Sequence, residues 1–259
     1  MSQLSAEQAR SYVDAAEIPQ PRSARGTVDG AAVLSALDTT RQQAAVVASE
    51  VVAFADGVSG QFRQDLVNST LLAQLVANQK VSDRSRIFDW YDAYFDALAN
   101  IGWAVQGRDF AIYNEQGQNF DAHKAIIGVL ATVLGPAATA LAMVTSTLEA
   151  LQSMDADSPW IRLFARESQS AQQAHFQVTA VDVGTDGEPF VTLVAFGLEA
   201  HAGMTQVLFF RWRTSDVTLR HCSGQVGIDA AVADALRAPL RQKLAAHAID
   251  FVKALPDLV

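Results

Sequence analysis

Cys222 directly follows His221, and a thiol beside an imidazole is the first pairing in this chain that could do chemistry. Such a pair works in nucleophilic catalysis only when the base reaches the sulfur. The run VTLRHC reads as a strand, and neighbours on a strand point to opposite faces. Without a bulge, His221 and Cys222 are therefore not expected to act together. Cys222 is the only cysteine, so no intrachain disulfide forms, and a lone thiol leaves the compartment open. Its plain reading is a small buried hydrophobe. Two functional readings stand beside that one: a redox-sensitive thiol, or an acylated thiol whose chain occupies an apolar tunnel. A sixteen-carbon chain would gain on the order of 0.8 kcal/mol per buried CH₂.

Other chemistry is sparse. His123, His175, His201, His221 and His247 are dispersed, with no HxH or HExxH spacing, so no metal site is expected. There is no GxGxxG after a strand and no Walker loop. Gly57-Val-Ser-Gly60 lacks the GxSxG spacing of a nucleophile elbow. Asp155 and Asp157 lack the remaining ligands of a calcium loop. No catalytic residue is assigned. A hydrolase or transferase with a dispersed site remains an alternative, and it would need a polar cleft where Asp, His, Arg or Cys groups converge.

The element that must position everything else is Ala125–Leu148, AIIGVLATVLGPAATALAMVTSTL, which carries no charge. It is apolar all round, so a helix made from it is expected to be enclosed by protein or by lipid. A continuous helix would be roughly 36 Å long, enough for a bilayer core. Pro136, however, cannot donate to the carbonyl of Thr132, which predicts a kink or two helices meeting at Gly135. Ile126, Ile127, Val129, Leu130, Val133, Leu134, Leu141 and Val144 supply roughly −2 to −5 kcal/mol of insertion energy, opposed by Gly, Pro, Thr and Ser. These eight residues are the candidate membrane or lipid segment. Enclosure in a protein core is the competing reading.

Composition narrows the partners. Half of the 259 residues are hydrophobic and 18% are charged, as in a globular chain. A net charge of −9 argues against nucleic acid and against electrostatic recruitment to anionic lipid. It leaves insertion through apolar area possible. The N-terminal run lacks an apolar core of signal-peptide length. The expected location is therefore the cytoplasm of the producing cell, or outside it by an unconventional route. Oligomeric state is not legible.

Along the chain, residues 1–28 read as an arm with a short helix from Ala6 to Glu17, stopped by Pro19-Gln-Pro21. Residues 29–259 read as one domain. Helices are expected over 30–56, 61–79, from Ser82 or Ser85 to Asn100, through the apolar stretch to Ser153, and from Asp229 to Leu255. The first two would form a helical hairpin. Trp103 to Ile112 suggests a short strand. Further strands are expected over 161–167, 174–183, 189–199, 205–214 and 217–222, with Gly184–Gly187 and Thr214–Asp216 as hairpin turns. Large apolar residues on both faces of the 205–214 strand require cover on both faces. The fold class is α+β: a mainly antiparallel sheet of about five strands from the C-terminal half, covered on both faces by helices.

Three segments carry a resemblance: the aromatic helix IFDWYDAYFDALANIGW (Ile87–Trp103), the strand pair VLFFRWRTSDVTLRHC (Val207–Cys222) and the closing helix from Asp229. In this order they resemble the Erwinia virulence factor family and, more distantly, Cyt-type cytolysins. The likeness is of organisation, covering most of the chain after about residue 30. It implies a virulence or toxin-like bacterial protein that acts on host cells, in some relatives by membrane insertion. It also implies a fatty acid on a cysteine, for which Cys222 is the only candidate. No family motif aligns onto that position. The expectation is a non-enzymatic, lipid-associated or membrane-active protein worked by Ala125–Leu148. It needs no metal or organic cofactor beyond a covalently or non-covalently bound fatty acid. The rival is a soluble interaction or structural protein in which that segment stays buried.

Overall fold

The computed structural model describes residues 4–21, 42–113, 122–135, 139–170, 172–184, 187–200, 204–207, 210–213 and 217–254. Its centre is three long antiparallel strands: β5 (Gln173–Val183), β6 (Pro189–Ala200) and β9 (Val217–Ile228). Beside β5 lies β2 (Glu50–Phe54), paired parallel, then β1 (Gln43–Val47) and β10 (Val252–Ala254), both antiparallel. The other edge of β9 carries β3 (Trp103–Val105) and β4 (Ala111–Ile112). The result is an eight-stranded, mostly antiparallel sheet. With seven helices among the described residues, the fold is α+β.

Helices cover both faces. On one face lie α2 (Gly60–Lys80) and α3 (Ile87–Ala99). The α3 stripe Trp90, Tyr91, Tyr94, Phe95 and Leu98 is buried against the sheet, and the Tyr91 hydroxyl is shared between the carbonyls of Phe176 and Phe196 at 2.9 and 2.8 Å. On the other face lie α4 (Ala122–Leu134), α5 (Thr139–Ser153) and α6 (Pro159–Ser168). There Phe164 meets Phe176 with ring centroids 5.9 Å apart. The last helix, α7 (Ala230–Phe251), is tied to α2 by Arg237 and Asp65 at 2.7 Å. The N-terminal helix α1 (Ala6–Ala15), closed by a Ser5–Gln8 capping box, buries Ala9 and Val13, and its Asp14 carbonyl accepts a hydrogen bond from the Lys243 ammonium of α7.

Four expectations are corrected. Residues 43–54 are not helical: they form the β1–β2 hairpin, turning through Ala48 at φ +51°. Strands buried on both faces read as a continuous apolar run, which mimics helical spacing, and Val46, Val47, Val51 and Val52 favour the strand. Residues 22–41 lie outside the described set. Residues 161–167 are helix, because Ser158 caps them and Pro159 holds the first helical position. The expected strand 205–214 is instead two, β7 (Met204–Val207) and β8 (Phe210–Arg213), paired apart from the main sheet; its proposed turn at 214–216 is outside the described residues. Finally, the sheet draws β1 to β4 from the N-terminal half as well as its C-terminal strands. Smaller departures also occur. Ser85 binds Asp83 instead of capping α3, and α7 runs unbroken through Pro239.

The apolar stretch divides as its Gly-Pro predicts. α4 ends at Leu134, Gly135 takes φ +85°, and α5 begins at Thr139. Enclosure on all sides does not hold, however. Ile126, Leu130, Val144 and Leu148 are sealed against the sheet, while Thr132, Thr139, Ala142 and Ser146 face solvent. Small and hydroxylated side chains make that outer face tolerable in water.

Close approach fixes one glycine. A Cβ on Gly224 of β9 would overlap the carbonyl oxygen of Gln106, which is backbone and cannot swing aside. Gly224→Ala should cost about 3 kcal/mol or more, read as a lowered denaturation midpoint with an unchanged slope.

Candidate functional site

Three places gather polar or apolar chemistry. The first is a sealed polar cluster between β2, β5 and the α2–α3 pair. Glu50, the lone charge in the apolar run VVASEVVAF, is fully buried there. Its Oε1 accepts from the Thr179 hydroxyl at 2.5 Å and its Oε2 from the Gln74 amide at 3.3 Å. Gln74 also accepts from the Ser49 backbone and hydroxyl, and Gln177 donates to the Tyr91 hydroxyl at 3.0 Å. Tyr94 faces the same carboxylate without an aligned hydrogen bond. Burial pushes Glu50 up to about 7, partly offset by the Thr179 hydrogen bond and by the Thr70 and Tyr94 hydroxyls that face it. Burial also raises Tyr91 and Tyr94 well above 10, with the Glu50 carboxylate adding to the rise at Tyr94. Neither cavity described below is lined by Glu50, so the cluster specifies packing and protonation.

The second place is Cys222. Register puts it opposite Ala195, and His221 opposite Phe196, so the two side chains leave opposite faces of β9. Cys222 is 3% exposed on the α3 side, within electrostatic reach of Tyr91 and Tyr94. Burial, aided by Asp109, pushes its thiol up to about 12. The thiolate needed for acyl transfer or redox exchange is therefore scarce at neutral pH. Neither cavity described below borders it.

The third place is a chamber of about 510 Å³ where the α4–α5 junction crosses the sheet. Val133 and Leu134 of α4 and Ala140 of α5 form its roof. Ala180, Asp182, Phe190, Thr192, Ser223 and Gln225 of β5, β6 and β9 form its floor. Those floor residues share one face because Ala180 pairs with Thr192, Asp182 with Phe190 and Thr192 with Gln225. Phe190, 45% exposed, stands at the open end. Its volume falls within the ~300–1,000 Å³ typical of small-molecule sites.

The eight apolar residues singled out from sequence thus separate by role. Ile126, Val129, Leu130 and Val144 are core. Ile127, Val133, Leu134 and Leu141 are half-buried, and Val133 and Leu134 roof the chamber. The floor residues gave no sequence signal, since strand pairing alone brings them together. Among the described residues, no group of three or more His, Cys, Asp or Glu is placed to hold a metal ion. Nor is any helix among them long and apolar enough to cross a membrane: α4 and α5, of 13 and 15 residues, would each reach roughly 20 Å against a ~30 Å hydrocarbon core. No protein-family model matches the chain, and no curated protein matches it.

Proposed function

We propose that this is a non-enzymatic, lipid-associated protein that holds an apolar molecule without a covalent bond, in the chamber under the α4–α5 junction. One observation carries the reading: the uncharged stretch breaks at Gly135, directly over an apolar-roofed cavity open at Phe190. Thr192, Ser223 and Gln225 offer uncharged hydrogen-bonding partners, while Asp182 opposes a carboxylate head. The fitting ligand is an acyl chain or similar apolar body with an uncharged head, in preference to a free fatty acid. The resemblance of the sequence to the Erwinia virulence factor family, if it extends to function, would fit a lipid-linked, toxin-like role. Cys222 takes no part in this reading, and hydroxylamine treatment is expected to leave the intact mass of the protein unchanged.

A second reading is favoured by the sealing of Ile126, Leu130, Val144 and Leu148 against the sheet. In it the segment is permanent core of a soluble interaction protein. Flotation with neutral phosphatidylcholine vesicles doped with monoacylglycerol separates the two. The lipid reading predicts transfer of monoacylglycerol to the protein fraction. Vesicles and protein that remain separate, with no lipid transferred, would favour the second reading.

A further inference from the structure

A second cavity, of about 220 Å³, lies on the opposite side of the sheet from the chamber, at the start of α3. That volume is about seven waters' worth. Trp90 and His175 form its inner wall, with ring centroids 4.2 Å apart. Ile87, Val81 and Phe251 extend the apolar surface. The segment after α1 closes one side through Pro19, whose carbonyl lies 2.8 Å from Nε2 of His247.

The polar lining of this cavity holds the Arg84 and Arg86 guanidinium groups together with Asn78 and the Asp83 carboxylate. α3 starts at Arg86 with no side-chain cap, so the amides of its first turn lack side-chain acceptors. Arg84 lines the cavity and, among the described residues, donates through Nη1 to the carbonyls of Arg166 and Gln169 at 2.8 and 3.0 Å. It has no carboxylate partner among the described residues. Two acids stand close by: Asp83, which lines the cavity, is held ionised by the Ser85 amide and hydroxyl, and Asp89 pairs with Arg86 at 2.8 Å. His175 is 6% exposed and its Nε2 has no partner. Burial holds that imidazole down to about 3, so it is neutral and adds no competing charge. A helix start without a side-chain cap, beside a guanidinium that has no carboxylate partner among the described residues, is a setting for an anion. The aromatic and aliphatic wall calls for an organic body behind it.

We infer that this cavity binds a small organic anion, a carboxylate or phosphate whose head sits between Arg84 and the first turn of α3 and whose apolar body lies against Trp90. The site is independent of the lipid chamber, so either can fail without the other.

Titration calorimetry, with the Trp90 indole N–H followed by NMR, tests the site using benzoate, phenyl phosphate, benzamide and inorganic phosphate. Benzoate and phenyl phosphate should bind one-to-one, with Kd at or below about 1 mM, and should shift the Trp90 signal. Benzamide should bind at least tenfold more weakly. Arg84→Gln should weaken both anions at least tenfold. Because Arg84 also caps α6, Ser82→Trp serves as a second variant: Ser82 is exposed at the rim, and the indole should block entry without loss of fold. No saturable binding, unchanged binding in a folded Ser82→Trp protein, or inorganic phosphate binding as tightly as phenyl phosphate would each overturn the inference.

Discussion

Val144→Asp is expected to abolish cooperative folding, whereas Val133→Asp is expected to leave a folded protein with an empty chamber. Val144 is wholly buried where α5 meets the sheet. A carboxylate there has no partner and no route to water, and an uncompensated buried charge costs several kcal/mol. Against a total stability on the order of 5–15 kcal/mol, that is enough to remove the melting transition. Val133 reads from sequence as an equally enclosed position. It is instead half-buried over the chamber, so a carboxylate at that position can be hydrated through the open end. Its melting temperature should fall by a few degrees at most, while affinity for an apolar ligand falls at least tenfold. Circular dichroism melts of both variants check the contrast. A Val144→Asp protein that melts like wild type would show that α5 does not cover the sheet.

Glu50→Gln should stabilise the protein at pH 8 and remove most of its pH dependence between pH 5 and 8. The folded-state pKa of Glu50 is raised from 4.5 to about 7 by burial. The native state therefore binds the proton more tightly than the unfolded chain does. The stability this contributes is complete below pH 4.5 and is lost as pH rises through 7. A rise of that size corresponds to about 3 kcal/mol, lost by pH 8. For a chain of this length that is roughly 6–12 °C in melting temperature. Glutamine keeps the shape, and the Thr179 hydroxyl can rotate to accept from its amide or donate to its oxygen. The variant should melt at nearly one temperature across this range, while wild type should lose stability towards pH 8. Parallel curves for the two proteins would mean that Glu50 does not titrate there.

Much of the fold could be read where local chemistry and tertiary role agree. β5 and β6 pair antiparallel on either side of residues 184–187, as their strand-forming runs predict, and Asp229 caps α7 through the Ala231 and Val232 amides. The aromatic stripe of α3 buries as its spacing predicts. The misreadings occur where a residue's environment is set by distant chain. Residues 43–54 look helical because β1 and β2 are covered on both faces, and that cover comes from α2, α5 and α6. β2 owes its place to parallel pairing with β5, more than a hundred residues on, which no local pattern announces. The chamber was half legible. Its roof follows from Gly135 breaking an apolar run, whereas Asp182, Thr192 and Ser223 converge only through register. Glu50 carried a signal that composition alone obscures: one acid in the middle of an apolar run must be either a surface turn or a buried, partnered carboxylate.

The chamber is tested most directly by equilibrium binding of a fluorescent monoacylglycerol to wild type and to Ser223→Phe, a substitution that fills the floor from β9 at a half-buried position. Wild type should bind one molecule saturably, and the filled variant should stay folded and bind at least tenfold more weakly. Absence of saturable binding to wild type, or equal affinity in a folded Ser223→Phe protein, would contradict the account.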